Sequence, residues 1–335
     1  MENFTVPKDY HAELNLHDTQ VAIKTVKDFF QQTLAQRLNL LRVSAPLFVD
    51  PKSGLNDNLN GVERPVSFDI KNMTNTAEIV HSLAKWKRYA LKKYGFSEGE
   101  GLYTDMTAIR RDEDLDNIHS VYVDQWDWEK IISKENRTVD TLKEVVRTIY
   151  KVLRKTEKYM AIQYDYIEEI LPKDIFFITT QELLDLYPDC TPKEREYKIT
   201  KEKGAVFLMQ VGKKLTNGER HDGRAPDYDD WELNGDILVY YPVLDIALEL
   251  SSMGIRVDET ALDKQLTEAG CDDRRELPFQ KAILNKELPY TIGGGIGQSR
   301  ICMFFLRKAH IGEVHVSLWP KEMQEEAAKG GIPLL

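Results

Sequence analysis

The stretch TIGGGIGQSR, residues 291 to 300, combines bare backbone with a cation. Gly293, Gly295 and Gly297 alternate along a strand-like segment, and Arg300 follows three residues later. Because alternate residues of a strand share one face, this spacing removes side chains from that face. A flat ring or a phosphate chain could lie there, with the planar guanidinium holding phosphate oxygens. The alternative is a glycine-rich turn followed by a surface arginine.

Two common nucleotide-binding patterns do not fit this stretch. The dinucleotide fingerprint G-x-G-x-x-G lies near the start of a βαβ unit and has an acidic residue about twenty positions later. Here the glycines read G-x-G-x-G-x-x-R, in what we predict to be an antiparallel sheet. The P-loop pattern fails as well, since VGKKLT lacks its first glycine. The sequence therefore predicts neither a Rossmann domain nor a P-loop.

A second polar pattern lies in HSVYVDQWDWE, residues 119 to 129. Strand alternation puts Gln125, Asp127 and Glu129 on one face, after two valines, and both tryptophans on the other face. Three consecutive polar members of one face are unusual in a core. They suit the floor of a polar pocket, and a solvent-facing strand end is the alternative.

The elements that position these residues follow from the hydrophobic periodicity. Helices are predicted from a cap at Asp18 to about Leu40, over LAKWKRYALKKYG with Gly95 closing it, and over residues 141–164. The glycine stretch ends a strand and opens the helix SRICMFFLRKA. Other strand candidates are RVSAPLFV, broken by Pro46, and GLYTDMTAIR, HSVYVDQWDWE, DIFFITT, AVFLMQV, DILVYYPVLDIALELSS and EVHVSLW.

The fold class follows from one short connection. GLYTDMTAIR and HSVYVDQWDWE are separated by RDEDLDNI, which is too short for a crossover helix, so the two strands should form an antiparallel hairpin. We therefore predict an α+β fold with a central antiparallel β-sheet flanked by helices. The length of 335 residues allows one large domain or two smaller ones.

Composition limits the partners and the compartment. The 45 basic and 55 acidic residues give a net charge of −10, which argues against a long nucleic acid and leaves a small anionic ligand open. The first thirty residues carry charges throughout, and nowhere do eighteen apolar residues run together, so we expect no membrane partner and no export. Cys190, Cys271 and Cys302 lie far apart, which fits a reducing cytoplasm.

The order of these features resembles the three motifs of class II aminoacyl-tRNA synthetases. The helix with its Pro46 strand, the hairpin whose first strand ends in Arg110, and the glycine strand with Arg300 match in turn. Longer stretches resemble the asparagine synthetase A family of aspartate–ammonia ligases, which is built on the same catalytic core. They are HSLAKWKR, GEGLYT, HSVYVDQWDWE, RAPDYDDW, LNGDILV, ELSSMGIRVD and TIGGGIGQSR. The resemblance runs from about residue 10 to 320 and implies a single catalytic domain over residues 1–335 with the class II synthetase fold.

The resemblance implies a two-step reaction. ATP activates the β-carboxylate of L-aspartate as β-aspartyl-AMP and releases pyrophosphate, and ammonia then displaces AMP to leave L-asparagine. A carboxylate that attacks the α-phosphorus brings two anions together, so the site needs cations and Mg²⁺. ATP is thus the expected co-substrate and Mg²⁺ the expected cofactor.

Individual residues match the family's functional positions. Arg110 is placed like the arginine that holds the α-phosphate and the reacting carboxylate, and Arg300 like the arginine on the γ-phosphate. The resemblance implies further contacts to aspartate from Asp57, Ser82, Gln125, Asp127, Arg224, Asp229, Ser251, Ser252 and Arg256, and to ATP from His119, Gly293, Gly294, Gly295 and Gly297.

Within this set, three residues are expected at the α-ammonium of aspartate: Gln125, Asp127 and Asp57. Arg224 and Asp229 are candidates for gripping the α-carboxylate and orienting ammonia. Their loop, RHDGRAPDYDDW, could equally be a salt-bridged surface segment, and by composition alone Asp57 is a turn residue. Nearby, Lys85 and Lys87 add positive potential, although lysines are common on helix surfaces.

Two acids match the family's metal-binding positions, Asp236 in NGDILV and Glu249 in LELSS. Mg²⁺ is generally held by one or two carboxylates alongside the phosphates of the substrate. The segments that carry these acids join near Pro242, which could bring both toward the triphosphate.

Two positions depart from the wider class II pattern. Val123 stands where an aromatic ring would stack on adenine, and Ser299 stands where an acid precedes the last arginine. Both departures belong to the aspartate–ammonia ligase pattern and favour that family over a synthetase that charges tRNA. How adenine is held is left open.

The alternatives are a class II aspartyl- or asparaginyl-tRNA synthetase and a non-catalytic regulatory paralogue of one. The acidic balance and the absence of an N-terminal anticodon-binding domain argue against the first, and the matching arginines and acids argue against the second. The resemblance also implies a homodimer through residues 18–49, the first-motif helix and its strand.

Overall fold

The computed structural model describes residues 4–57, 59 and 63–335. Its strands are β1 (Leu40–Arg42), β2 (Phe48–Val49), β3 (Ser67–Phe68), β4 (Ala77–Ile79), β5 (Gly101–Ile109), β6 (Tyr122–Ile131), β7 (Phe176–Thr179), β8 (Ala205–Met209), β9 (Asp229–Tyr241), β10 (Ile246–Arg256) and β11 (Thr291–Gly297). Its helices are α1 (Leu16–Leu38), α2 (Ala84–Lys93), α3 (Val139–Gln163), α4 (Thr180–Leu186), α5 (Pro192–Lys203), α6 (Glu259–Glu268), α7 (Pro278–Leu284), α8 (Gln298–Phe305) and α9 (Lys321–Lys329).

Within these described ranges the strands form one eight-stranded sheet and one small sheet. The large sheet has the order β1-β5-β6-β11-β10-β9-β8-β7. Its central strands, from β5 to β8 in that order, all pair antiparallel, while β1 and β7 join the two edges in parallel. The β5–β6 hairpin and the α+β class with a central antiparallel sheet are thus confirmed. The small sheet, β2-β4-β3, was not predicted.

Helix α1 begins earlier than predicted because its cap is a different residue. The side chain of Asn15 accepts a hydrogen bond from the backbone N–H of Asp18, so Asn15 is the cap and Asp18 lies in the first turn. An acidic residue there is favoured by the helix dipole. The helix ends at Leu38 because Asn39 adopts a left-handed conformation, with φ 59°.

Two predicted strands need correction. EVHVSLW, residues 313–319, is not a strand: Glu313 ends a short 3₁₀ helix at residues 311–313 and accepts from the His310 N–H, and residues 314–319 follow as a turn and irregular chain. The local bond of Glu313 competes with strand pairing there.

RVSAPLFV, residues 42–49, is strand only at Arg42, the end of β1, and at Phe48–Val49, which form β2; the chain between them, which contains Pro46, is irregular. DILVYYPVLDIALELSS lies in β9 and β10, which turn at residues 242–245, where the sequence predicts that the two segments join. Helices α2 and α3 lie where the sequence predicts them.

The two faces of the sheet have different roles. On one face, Trp126 and Trp128 of β6 are fully buried in the main core, with apolar residues of α1, α3 and α8. The opposite face of β6 carries Gln125, Asp127 and Glu129, as strand alternation predicts. The polar residues therefore face away from the apolar core.

Over residues 4–57, 59 and 63–335, no helix has both the length and the apolar composition that a membrane span needs.

Candidate active site

A cavity of about 550 Å³ lies over the central strands and brings the two motif arginines together. Arg110 and Arg300 both line it, and so do Gly294, Gly295 and Gly297 of β11. The other predicted site residues that line it are Asp57, Ser82, His119, Gln125, Asp127, Arg224, Asp229, Glu249, Ser251, Ser252 and Arg256. Gly293 and Asp236 do not line it.

Side chains of the neighbouring strand β6 occupy the space that a Cβ at Gly293 or Gly295 of β11 would need. Gly293 pairs with Glu129 and Gly295 with Asp127 on β6. A Cβ at Gly293 would overlap the Glu129 carboxylate, and a Cβ at Gly295 would lie 2.5 Å from Gln125 Oε1. The expectation that Gly293 forms part of the ligand-binding floor is therefore corrected, because a buried carboxylate from the neighbouring strand occupies that space.

Arg110 follows the last residue of β5 and enters the cavity with unused hydrogen-bonding capacity. Its backbone N–H donates to Val121 O at 2.8 Å, which closes the end of the hairpin. Its Nε is buried and has no hydrogen-bond partner among the described residues. Because a buried unpaired donor is costly, this group is well suited to a ligand oxygen.

Arg300 lies in the first turn of α8, directly after the glycine strand. Its Nη1 donates to the carbonyl oxygen of Glu249 at 3.0 Å. Ser251, on the same strand as Glu249, donates to Gly295 O at 3.0 Å. These bonds link β10, β11 and α8 around the end of the cavity where Arg300 lies.

The floor of the cavity contains buried ion pairs that periodicity alone does not predict. Lys87 of α2, with 1% of its surface exposed, donates to Asp127 Oδ1 and to Gly294 O. Burial lowers the pKa of Lys87, and the charge of Asp127 opposes that shift. The second oxygen of Asp127, Oδ2, has no hydrogen-bond partner within the described chain. Lys87 therefore belongs to the site, and not to a helix surface.

Arg256 is the second buried cation of the floor. Its Nε lies 3.0 and 3.1 Å from the two Glu129 oxygens, its Nη2 lies 2.8 Å from Glu129 Oε2, and its Nη1 donates to Asp229. Burial would lower the pKa of Arg256, but Glu129 and Asp229 raise it above its usual value. Asp229 is thus fixed by an ion pair.

Asp57 lies in a buried network at the edge of the cavity. Burial raises its pKa, against the opposing charge of Lys85. Lys85 donates to Asn56 O at 2.9 Å and pairs with Asp227 at 2.9 Å. The network joins the loop of Asp57 to the loop that carries Asp227, so both loops are fixed to α2. The motif GLNDNLNG also includes Asn58, Asn60 and Gly61, which lie outside the described residues.

The two predicted metal ligands lie close together but differ in their access to the cavity. Glu249 lines it, whereas Asp236 lies behind and accepts two hydrogen bonds from Arg224 Nη2, both at 2.7 Å. Burial raises the pKa of Asp236 to about 7, with Arg224 opposing the shift and Glu249 adding to it. Arg224 is therefore paired with Asp236 through Nη2, while its buried Nε has no hydrogen-bond partner among the described residues, and its contact to the α-carboxylate stays a prediction.

His119 lies at the mouth of the cavity. Its Nδ1 is 2.8 Å from Asp116 Oδ2, and its backbone N–H donates to Asp116 Oδ1 at 2.7 Å. A second cavity, of about 540 Å³, shares His119, Glu249 and Arg300 with the first among its lining residues.

Several residues that line the cavity were not predicted. They include Tyr228, whose pKa burial raises well above its ordinary value, and Lys193 at the start of α5. Neither residue has neighbours at a spacing that is typical of a catalytic or binding motif, and the sequence did not predict helix α5. Lys193 pairs with Glu196 at 3.0 Å.

Comparisons with known proteins give the family and the fold of the chain. The family model "Aspartate-ammonia ligase" matches residues 17–331. An aspartate–ammonia ligase of Ruminiclostridium cellulolyticum is 63% identical over all of both chains, and one of Clostridium perfringens is 64% identical, again over all of both chains.

Among solved structures, an asparaginyl-tRNA synthetase of Entamoeba histolytica in complex with asparaginyl-adenylate has a TM-score of 0.62 at 12% identity, and covers 90% of this chain and 66% of its own. An asparaginyl-tRNA synthetase of Pyrococcus horikoshii, also at 0.62, has 16% identity and covers 90% of this chain and 70% of its own. At this identity the likeness shows the fold alone, which is that of class II synthetases. The family match and the curated relatives show more: this chain belongs to the aspartate–ammonia ligase family.

Proposed function

We propose that this chain makes L-asparagine from L-aspartate, ATP and ammonia through β-aspartyl-AMP, with release of AMP and pyrophosphate. The observation that carries the proposal is one cavity in which Arg110 and Arg300 flank a glycine strand, beside a floor of buried, oppositely charged groups. An ATP bent across the glycines would place its phosphates near the arginines and its α-phosphorus beside the buried floor.

The floor suits an amino acid with two charged ends. The unpartnered Oδ2 of Asp127 and the amide oxygen of Gln125 can each accept a hydrogen bond from an α-ammonium group. Arg256 and Lys87 are cations of the floor, and Arg224, which lines the same cavity, has a buried Nε without a hydrogen-bond partner among the described residues, so we assign the α-carboxylate to these three cations. Ser82, Ser251 and Ser252 complete the polar lining.

The arginines stabilise charge where it develops. The unpartnered Nε of Arg110 can donate to an oxygen of the α-phosphate or of the attacking β-carboxylate, which offsets the repulsion between the two anions. Arg300 donates to Glu249 O through Nη1, and its other N–H groups can donate to the terminal phosphates. His119 lies where it can contact the nucleotide.

The acids fit a hard divalent cation. Glu249 faces the cavity, and Asp236 is close enough to it that the charge of Glu249 adds to the rise in the pKa of Asp236, to about 7, that burial causes. Carboxylates of this kind are ligands that Mg²⁺ accepts. When bound, Mg²⁺ would neutralise phosphate charge. Asp236 and Glu249 are the candidates to hold it. The described part of the chain contains no group of three or more His, Cys, Asp or Glu residues that could hold a metal ion.

The second step needs ammonia at the activated carbonyl carbon, with AMP as the leaving group. Asp229 lines the cavity next to Arg256 and stays our candidate for orienting ammonia. Asp57, whose burial raises its pKa, stays the candidate for the second contact to the α-ammonium.

We further propose that residues 1–335 act as one catalytic domain in a cytoplasmic homodimer. β5, β6, β9, β10 and β11, from both halves of the chain, share one sheet. The region 18–49 includes the edge strand β1, where Leu41 has 62% of its surface exposed. An exposed apolar edge of this kind suits a subunit contact. The three free cysteines are compatible with the cytoplasm.

The proposal is tested by incubating the protein with ATP, Mg²⁺, aspartate and ammonium and measuring AMP, ADP and asparagine. We expect AMP and asparagine in equal amounts, dependent on aspartate. Formation of ADP in place of AMP would contradict the adenylate. Aspartate or asparagine esterified to added tRNA, without free asparagine, would support a tRNA synthetase, and binding of aspartate without turnover would support a regulatory paralogue.

A further inference from the structure

Helix α8 presents Arg300 but lacks a cap from its own chain segment. It starts directly from β11, and its cap residue, Gly297, has no side chain to accept a hydrogen bond. A Cβ at this position would lie 3.3 Å from the Cβ of Arg300, so the space beside the arginine is tight. The first N–H groups of a helix have no partner within the helix and need an acceptor from elsewhere.

Asp124 of β6 supplies that acceptor from the neighbouring strand. Its Oδ1 accepts from the backbone N–H of Ser299 at 3.0 Å and from Ser299 Oγ at 2.6 Å. Its Oδ2 accepts from Lys27 Nζ of α1 at 3.0 Å. A carboxylate in this place also interacts favourably with the helix dipole. Both oxygens of Asp124 are thus used to hold protein groups.

The charge state of Asp124 agrees with this role. Burial alone would raise its pKa, but Lys27, His315 and Ser299 together hold the pKa below its ordinary value. The side chain is therefore a charged acceptor at neutral pH.

The residue before Ser299 is held in a similar way. Gln298 Nε2 donates to Asp105 Oδ1 of β5 at 3.0 Å. The first two residues of α8 are thus bonded to the two strands of the hairpin whose first strand ends in Arg110. This arrangement ties the backbone of Arg300 to the strands that place the other motif arginine.

We propose that Asp124 is a positioning residue for Arg300: by capping α8 from the adjacent strand, it determines where the Arg300 guanidinium meets the terminal phosphates of ATP. The inference rests on the proposed function, because it takes Arg300 to bind those phosphates. It also accounts for Ser299, where the class II pattern has an acid directly before the arginine. Here the acid is Asp124 of β6, and Ser299 donates two hydrogen bonds to it.

A purely structural role for Asp124 makes a different prediction. If Asp124 only stabilised the fold, its loss would change ATP binding by the same factor whether or not Arg300 is present. If it acts through Arg300, the effect should vanish when the arginine is removed. A double-mutant cycle on the affinity for ATP separates the two.

The experiment uses the full chain with saturating Mg²⁺ and measures KM for ATP, KM for aspartate and, by calorimetry, Kd for ATP. Because losing a helix cap costs about 1 kcal/mol, which corresponds to about a fivefold change, Asp124→Ala should raise the ATP constants about fivefold and KM for aspartate less than about twofold. Asp124→Asn, whose amide oxygen can still accept from Ser299, should have a smaller effect. In the Arg300→Ala background, Asp124→Ala should change Kd for ATP by less than about twofold.

Matched variants keep the test decisive. Asp245→Asn removes a carboxylate that accepts from Tyr197, Tyr240 and Lys201 on the surface, and should leave all constants unchanged. If Asp124→Ala does not fold, Ser299→Ala removes the shorter of the two bonds, together with the 2.8 Å contact between Ser299 Oγ and His315 Nδ1, and should raise Kd for ATP in the same cycle. An equal factor in both Arg300 backgrounds, or no change in either, would overturn the inference. A parent protein that forms no AMP from ATP and aspartate would instead refute the proposed function.

Discussion

Two glycines on the same face of β11 should respond differently to one added methyl group. A Cβ at Gly293 overlaps the Glu129 carboxylate, 2.6 Å from its Cδ, and lies 2.7 Å from the carbonyl oxygen of Trp128. A Cβ at Gly295 meets the end of the Gln125 side chain, with Oε1 at 2.5 Å and Cδ at 3.2 Å. Neither glycine has a positive φ, so backbone strain does not decide the outcome.

The expected costs follow from what must move. At Gly293→Ala, Glu129 must leave Arg256 and Thr291, or the strands must part, and breaking a buried ion pair costs about 3–5 kcal/mol. At Gly295→Ala a flexible side chain moves, and because Ala is preferred over Gly in a strand by about 0.5–1 kcal/mol, the net change in stability should be about 1 kcal/mol or less. The methyl and the displaced Gln125 then occupy the cavity, and kcat/KM for ATP should fall about tenfold or more.

The assay pairs urea unfolding with AMP formation, and each variant is the control for the other. We expect Gly293→Ala to lose stability with an unchanged m-value, and Gly295→Ala to lose activity while it keeps the parental midpoint. Equal losses of stability, with normal kinetics in the folded fraction, would refute the distinction between a packing glycine and a cavity glycine.

Three further predictions test the rest of the account. Arg110→Ala and Arg300→Ala should each lose about two orders of magnitude or more in rate with an unchanged urea midpoint, and near-normal turnover would remove their assigned roles. Light scattering should give twice the chain mass, and Leu41→Asp should shift the protein toward monomer; a stable, active monomer would refute the subunit contact. Because Asp236 holds its proton more tightly in the folded protein, the metal-free protein should become less stable as the pH rises from about 4 to about 7, so the stability of Asp236→Asn relative to the parent should increase over that range and be constant above it. Mg²⁺ should bind more tightly over the same range, and a constant gap between variant and parent there, or Mg²⁺ affinity independent of pH, would contradict this.

Long periodic elements could be predicted from the sequence because their signals are local. The α2 and α3 patterns, the hairpin and the turn from β11 into α8 all depend on residues a few positions apart. The strand prediction for EVHVSLW was wrong because alternation is also a local signal: Glu313 ends a 3₁₀ helix, and the ring of His315 contacts Tyr122 O of β6 at 2.9 Å while residues 314–319 stay irregular. The parallel edge strands β1 and β7 depend on long-range pairing, which periodicity does not report.

The site divides in the same way. Polar residues on one face of β6 could be found by alternation, and the arginines by motif position. Burial of Lys87 in the floor could not be predicted, because a lysine on an amphipathic helix has the same spacing whether it meets water or Asp127. The pairing of Arg224 with Asp236 joins a loop to a strand and has no spacing signature either.

The central claim is that the β-carboxylate of aspartate attacks the α-phosphorus of ATP in the cavity between Arg110 and Arg300. The most direct test uses aspartate labelled with ¹⁸O in its β-carboxyl group, with ATP, Mg²⁺ and ammonium, followed by mass spectrometry of the nucleotide and phosphate products. The account predicts one ¹⁸O in AMP. When ammonia attacks the β-carbonyl carbon, the bond between that carbon and the bridging oxygen breaks, and the oxygen leaves with the phosphorus of AMP. Label in inorganic phosphate, accompanied by ADP, would contradict it.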